Sequence, residues 1–300
     1  MNIFFPKEHI NEPRFSLTGE TAEKFLKKNI DLYIEETVEF QDALLKNLIE
    51  TTKVKTIPRH QGLSSADIIC SLNKLNLDDI NHVKQDALIV SFLDPFNEVE
   101  LISELKNRSI SSISMELVPR TTRAQKMDAL SSQANLAGYS AVIIASNYLE
   151  KALPMMMTAA GTISPSKVFV VGVGVAGLQA IATAKRLGAR VEAFDTREEV
   201  EDQVKSLGAR FVKIDLGETE QTSQGYAKAL TADQIKKQQE GMKKVCSSSD
   251  IVITTAQVLA DQLQKLLPQK WLRQCILEVL SWIWRFLQEE TLKGLKKGRL

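Results

Sequence analysis

Short apolar runs alternate along this chain with segments whose apolar positions recur every three or four residues, the signature of strands alternating with amphipathic helices. Residues 2–5 read as a first strand. Residues 18–28 read as a helix with Thr18 as N-cap ahead of Glu20 and Thr21. Residues 34–55 read as charged helix. Residues 66–70, 87–93 and 110–115 are short buried strands, with an amphipathic helix over 98–106 between the last two. A long helical pattern spans about 124–152, and Pro154, Gly161 and Pro165 punctuate the stretch after it. The alternation then resumes with a strand at 168–171, a helix carrying Ile181, Ala184 and Leu187, a strand at 191–194 and a helix over 198–207. Strands at 210–214 and 251–255 flank a polar, glycine-bounded loop at 217–223, expected to be mobile, and a charged helix over 232–244. Alternation of this kind predicts the α/β class, with mostly parallel sheets covered by helices on both faces. Two Rossmann-like domains are expected: residues 1–128, residues 129–280, and an atypical tail at 281–300.

The second expected domain carries the chemistry. In Val168-Phe169-Val170-Val171-Gly172-Val173-Gly174-Val175-Ala176-Gly177 a β-branched strand enters G-x-G-x-x-G directly. A helix follows, Gly188 ends it, and the next strand delivers Asp195. Strand, glycine turn, helix, strand and acid in that order form the context a dinucleotide fingerprint requires. Without that context the glycines would be an ordinary turn. Gly172 permits the tight turn, Gly174 lets backbone approach a pyrophosphate, and Gly177 lets helix and strand pack closely. Val175 and Ala176 open the helix, whose free N–H groups and partial positive charge face the phosphates. Asp195 can accept hydrogen bonds from both adenosine-ribose hydroxyls and would repel a 2′-phosphate, which favours NAD(H) over NADP(H). Arg197 could hold a 2′-phosphate, but Asp195 occupies the strand end itself.

Composition changes this picture little. A length of 300 residues suits two domains, and 44% hydrophobic with 25% charged content is ordinary for a soluble globular protein. A net charge of +1 gives no electrostatic case for binding nucleic acid or an anionic membrane. The 3 cysteines (Cys70, Cys246, Cys275) form no C-x-x-C pair, and His9, His60 and His82 lack partners at ligand spacing. No metal site and a reducing compartment are therefore expected. The opening residues read as a strand rather than a signal peptide, and the apolar stretch 275–287 contains Glu278 and Arg285 and is too short to span a bilayer.

Several longer motifs resemble one family. They are Met115 through Arg120, Arg123-Ala124-Gln125, Met127 through Tyr139, Pro154 through Gly161, Gly172 through Gly188, Phe194-Asp195-Thr196-Arg197, Gly225-Tyr226-Ala227-Lys228 and Thr254-Thr255-Ala256. In order and spacing they are similar to the alpha subunit of the proton-translocating NAD(P) transhydrogenase, within the alanine dehydrogenase/transhydrogenase superfamily. Pro6-Lys7-Glu8, Arg14 and Leu17-Thr18 fit the family opening less densely. The resemblance implies a Re/Si-specific enzyme in which this chain binds NAD(H) and exchanges hydride with NADP(H) held by a partner subunit. Membrane-spanning partner subunits couple the exchange to proton translocation, which implies a homodimeric cytoplasmic chain, peripheral on the inner face of the cytoplasmic membrane. Arg120, Gln125, Asp128 and Ser131 fall on positions around the nicotinamide. Val175 falls in the pyrophosphate turn, and Asp195, Thr196 and Arg197 at the adenosine ribose. Gly225 and Gln238 fall near the adenine side, Tyr226 on a loop that closes over nucleotide, and Gln257 among the cofactor-binding positions. Gln125, Asp128 and Ser131, at i, i+3 and i+6, would share one helical face, though a solvated face with a cap explains the same pattern without the family.

Alanine dehydrogenases share the architecture and supply a second reading. A keto acid needs a cationic clamp and a proton donor, but Asn73 and Asp94 stand here where that family has lysine and histidine, and His82 reads as a surface residue. The chain also departs from the transhydrogenase pattern. No glycine occurs between Gly19 and Gly62, where the family has a glycine-rich loop, and the pattern stops after Ala256. Residues 257–300 hold Trp271, Trp282 and Trp284 and a basic end of Lys293, Lys296, Lys297 and Arg299. That jump fits an altered reading frame or truncation, or else a new partner-binding helix, so an inactive nucleotide-binding remnant is a further reading. Residues 261–300 are expected to be helical or poorly ordered.

Overall fold

Phe4 and Phe5 are neighbours in the first strand, β1 (Asn2–Phe5), and both are buried, on opposite faces of a sheet. Phe4 joins a core with Leu63, Ile69, Ile80, Ile89, Leu101 and Leu105. Phe5 and Ile3 join another with Ala22, Leu32, Ile34, Leu45 and Leu48. A strand that is apolar on both sides must lie inside a two-faced sheet, which is why β1 is central. The computed structural model describes residues 1–9, 12–39, 41–215 and 231–255. It divides into two compact units, Met1–Ala129 and Leu130–Leu300.

After β1, the first unit runs α1 (Gly19–Leu26), β2 (Asp31–Glu35), α2 (Ala43–Glu50), β3 (Lys55–Ile57), α3 (Arg59–Ser65) and β4 (Ile68–Asn73). It continues with α4 (Leu77–His82), β5 (Leu88–Phe92), α5 (Val99–Asn107) and β6 (Ser111–Ser114). The sheet order is β3-β2-β1-β4-β5-β6, parallel throughout. The core residues put α1 and α2 on one face and α3, α4 and α5 on the other. Of the helix read over 34–55 only α2 (Ala43–Glu50) forms. Ile34 sits in β2 opposite Phe5, and the Asp42 carboxylate caps a short α2 by accepting from the Leu45 amide at 3.0 Å. Thr52 then turns out of the helix at a φ of 57°, and β3 adds an edge strand.

The second unit holds most of α6 (Ala129–Tyr148), then β7 (Met156–Thr158), β8 (Gly161–Ile163), β9 (Lys167–Val171), α7 (Val175–Arg186) and β10 (Arg190–Phe194). It ends, among the described residues, with α8 (Glu201–Ser206), β11 (Arg210–Phe211), α9 (Ala232–Cys246) and β12 (Ile251–Thr254). Its parallel sheet has the order β11-β10-β9-β12, while β7 and β8 form a separate antiparallel hairpin. Val168, Val170, Val191, Ala193, Ile251 and Ile253 face α6, α7 and α8. Phe169, Val171, Phe194 and Val252 face Met242 and Cys246 of α9. Both units are therefore Rossmann-like, in keeping with the α/β class read from the alternation.

The long helix read over 124–152 is shorter and interrupted. A 3-10 turn, Gln125–Met127, ends at Asp128, whose ψ of 81° is not helical, and α6 starts at Ala129. Gln125, Asp128 and Ser131 therefore do not share one helical face. The strand read over 210–214 keeps only two residues in the ladder, though the Val212 amide still donates to the Ala193 carbonyl at 2.8 Å. The loop read at 217–223 and the tail after Ala256 lie outside the described residues.

Candidate functional site

The glycine turn is assembled from three strands and a helix. Gly172 has a φ of 93°, and its amide donates to the Phe194 carbonyl at 2.8 Å, tying the turn to the end of β10. A Cβ on Gly177 would lie 1.9 Å from the Gly172 carbonyl oxygen, so no side chain fits there. Beyond Gly174 a Cβ would meet nothing within 4 Å, which leaves the backbone open to an approaching group. Gly174 is also the N-cap of α7 and has no side chain to satisfy the first-turn amides, so Val175 and Ala176 open a helix whose N–H groups suit an anion.

Two neighbours hold this turn that the sequence reading assigned no role. The Thr255 hydroxyl, just past β12, donates to the Gly172 carbonyl at 2.8 Å while its amide donates to Val171 at 2.7 Å. Gly138 of α6 lies so close to the first turn of α7 that a Cβ would stand 2.1 Å from the Ala176 carbonyl oxygen. Both residues fall inside the motifs that carry the family resemblance. A hydroxyl directly after an apolar strand and a glycine inside a helix were the available signals.

Asp195 ends β10 beside the turn. Its Oδ2 accepts from the Val173 amide at 2.7 Å, and its Oδ1 accepts from the Arg197 amide at 2.9 Å. The Arg197 guanidinium adds a forked pair, Nε to Oδ1 and Nη2 to Oδ2, each 3.0 Å. Thr196 lies between them in sequence, half-buried. Sequence reasoning placed Arg197 near the ribose but did not foresee that it holds Asp195.

On the other face of the sheet, Gln238 is wholly buried, with neither Oε1 nor Nε2 hydrogen-bonded among the described residues. It lies one turn before Met242 on the stripe of α9 that covers the sheet. Because α9 returns to a parallel strand, its N-terminal end lies toward the carboxyl ends of the strands, where open α/β sheets bind ligands. Buried carboxamides are costly without partners, so this orphaned group suits a polar ligand edge. The open backbone at Gly174, the uncapped helix, the acid at the strand end and this carboxamide together fit a dinucleotide. A cavity of about 850 Å3 lies elsewhere in the unit, at the start of β9 beside the hairpin, between Met156, Ile163, Lys167 and Asp250.

The remaining candidates are divided between the units. Arg120 Nε stands 3.9 Å from Asp128 Oδ2, and Gln125 lies in the 3-10 turn before Asp128, all in the first unit. Ser131 is in the opening turn of α6, in the second. Gly225, Tyr226 and Gln257 lie outside the described residues. Among the described residues, no cluster of His, Cys, Asp and Glu is placed to hold a metal, and no helix is long and apolar enough to cross a membrane.

In the first unit, the carboxyl ends of β1 and β4 border a cavity of about 190 Å3 lined by Lys7, Glu8, Arg59, Asn73 and Lys74. Glu8 fills part of it. Its carboxylate accepts from the Leu72 amide at 2.6 Å and from the Asn73 amide and side chain at 3.0 and 3.2 Å. Burial pushes the Glu8 pKa up, against the opposing pull of those amides. Asp94 turns away in a local cap, accepting from the Asn97 side chain at 2.9 and 3.0 Å.

Residues 4–137 match the family described as "Alanine dehydrogenase/PNT, N-terminal domain", and residues 141–275 match its C-terminal domain. The first of the parts into which NAD(P) transhydrogenase subunit alpha is divided in Rickettsia prowazekii (strain Madrid E) is 43% identical over 265 residues, covering 86% of this chain and 69% of that one. The chain belongs to the NAD(P) transhydrogenase alpha-subunit family. The solved transhydrogenase structure from Sinorhizobium meliloti is 37% identical, with a TM-score of 0.69 over 85% of this chain and 70% of that one. An L-alanine dehydrogenase structure, 18% identical with a TM-score of 0.66 over 92% and 71%, shares the fold. Within this transhydrogenase alpha-family chain, the match to the C-terminal domain runs to residue 275, past Ala256, where the motifs end.

Proposed function

We propose that this chain is the NAD(H)-binding subunit of a proton-translocating NAD(P) transhydrogenase. The observation that carries the reading is the contact between strand end and turn: Asp195 accepts from the Val173 amide inside the fingerprint, which puts an acid where an adenosine ribose meets the pyrophosphate turn. A fixed negative charge there opposes a 2′-phosphate and selects NAD(H). NADP(H) belongs on a partner subunit, with membrane-spanning subunits coupling the exchange to protons, and the chain acts as a homodimer at the inner face of the cytoplasmic membrane.

The two nicotinamides supply the hydride donor and acceptor. No proton moves at the reacting carbons, so this chain's residues need only position and dry the reacting face, an effect worth up to about 7–11 kcal/mol when geometry is well set. Arg120, Gln125, Asp128 and Ser131 are assigned to the nicotinamide end. The turn from Gly172 to Gly177 serves the pyrophosphate, and Asp195, Thr196 and Arg197 the ribose. Gly225 and Gln238 serve the adenine side, Tyr226 the loop that closes over nucleotide, and Gln257 the cofactor beyond β12. The alanine dehydrogenase reading is disfavoured by Asn73 and Asp94, which stand where that family has the lysine and histidine that would clamp and protonate a keto acid.

Mixing the chain with an NADP-binding transhydrogenase subunit of a relative tests the proposal. Reduction of an NADP+ analogue by NADH should appear only in the mixture. NADH oxidation by pyruvate and ammonia with the chain alone would overturn it.

A further inference from the structure

The Asp195 carboxylate is saturated. It is 8% exposed and accepts four hydrogen bonds, from the Val173 amide, the Arg197 amide, Arg197 Nε and Arg197 Nη2. Two carboxylate oxygens offer about four lone-pair sites, so nothing remains for a ribose. The two backbone donors are fixed by the fold, whereas the two guanidinium donors belong to a flexible side chain that is 20% exposed. Arg197 Nη2 also reaches the Val173 carbonyl at 3.3 Å, so the guanidinium lies across the gap between strand end and glycine turn. That gap is where the proposed nucleotide's ribose belongs. A guanidinium fork and a vicinal diol both present two neighbouring donors to one carboxylate, and so compete for the same two acceptor positions.

We propose that Arg197 is a displaceable latch on the adenosine-ribose site, and that NAD(H) enters by exchanging the guanidinium for the two ribose hydroxyls on Asp195. The inference rests on the nucleotide reading of this turn. The exchange keeps four hydrogen bonds on Asp195 and frees one cation. Glu199, exposed on the following turn, already attracts Arg197 electrostatically and offers the displaced guanidinium a partner. The latch also refines selectivity: a nucleotide with a 2′-phosphate has lost one of the two hydroxyls needed for the exchange.

Calorimetric titration of wild-type, Arg197→Met and Arg197→Lys chains with NADH, adenosine 5′-monophosphate and nicotinamide mononucleotide tests this. Removing the competitor should tighten NADH and adenosine monophosphate at least threefold in Arg197→Met. Arg197→Lys, which keeps the charge but not the fork, should fall between the two. Nicotinamide mononucleotide, which never meets Asp195, should be unmoved. NADH affinity that is unchanged or weaker in both variants would overturn the latch and leave the nucleotide site standing. Absence of NADH binding by the folded wild-type chain would overturn the site reading, and the latch with it.

Discussion

At the scale of single residues, selectivity comes down to one carboxylate. Asp195→Ala removes the acceptor for the ribose hydroxyls and the charge that opposes a 2′-phosphate, while keeping the Arg197 cation and releasing its fork. NADH binding should weaken by about 1–3 kcal/mol, the range for losing charge-assisted hydrogen bonds, and NADPH binding should strengthen. Fluorescence titration showing both nucleotides weakened equally would contradict that assignment. Gly138 tests the support behind the turn. A Cβ 2.1 Å from the Ala176 carbonyl oxygen meets backbone, which cannot rotate away. Gly138→Ala should therefore cost about 1–3 kcal/mol by overpacking and weaken NADH binding as the first turn of α7 shifts. Unchanged melting and affinity would show that α6 does not brace the fingerprint.

At the scale of elements, strands buried on both faces were legible because continuous apolar runs have few other uses. β1, β9 and β12 are all of this kind. Elements that bury little were not. β3 exposes Lys55 and Thr56, and the hairpin of β7 and β8 is exposed throughout, so neither carries a pattern. The break at Asp128 is a single backbone angle that no periodicity encodes. The fingerprint was readable to the residue, but its bracing by Thr255 and Gly138 and the Arg197 fork on Asp195 depend on which side chains meet, not on spacing. β4 offers a pH test. Burial first, and the nearby Glu8 charge second, push the Cys70 thiol up to about 11 from an ordinary 9.0. The folded state thus favours the neutral thiol, a contribution that is whole below pH 9.0 and is lost as pH rises toward about 11. Chemical denaturation across that window should show a smaller loss of stability in Cys70→Ala than in wild type, and parallel losses would contradict the assignment.

At the scale of the whole molecule, the nucleotide turn is built from residues between β9 and Thr255, with α6 behind it. Deleting residues 281–300 should leave NADH affinity within about tenfold, or roughly 1.4 kcal/mol. Lost binding in a still-folded deletion would make the tail a functional element. The central claim is a site that accepts NAD(H) and turns away NADP(H). Side-by-side calorimetric titration of the full chain with NADH and NADPH measures that most directly. The expected result is a site for NADH and at least tenfold weaker binding of NADPH; equal or tighter NADPH binding, or no NADH binding by the folded chain, would contradict it.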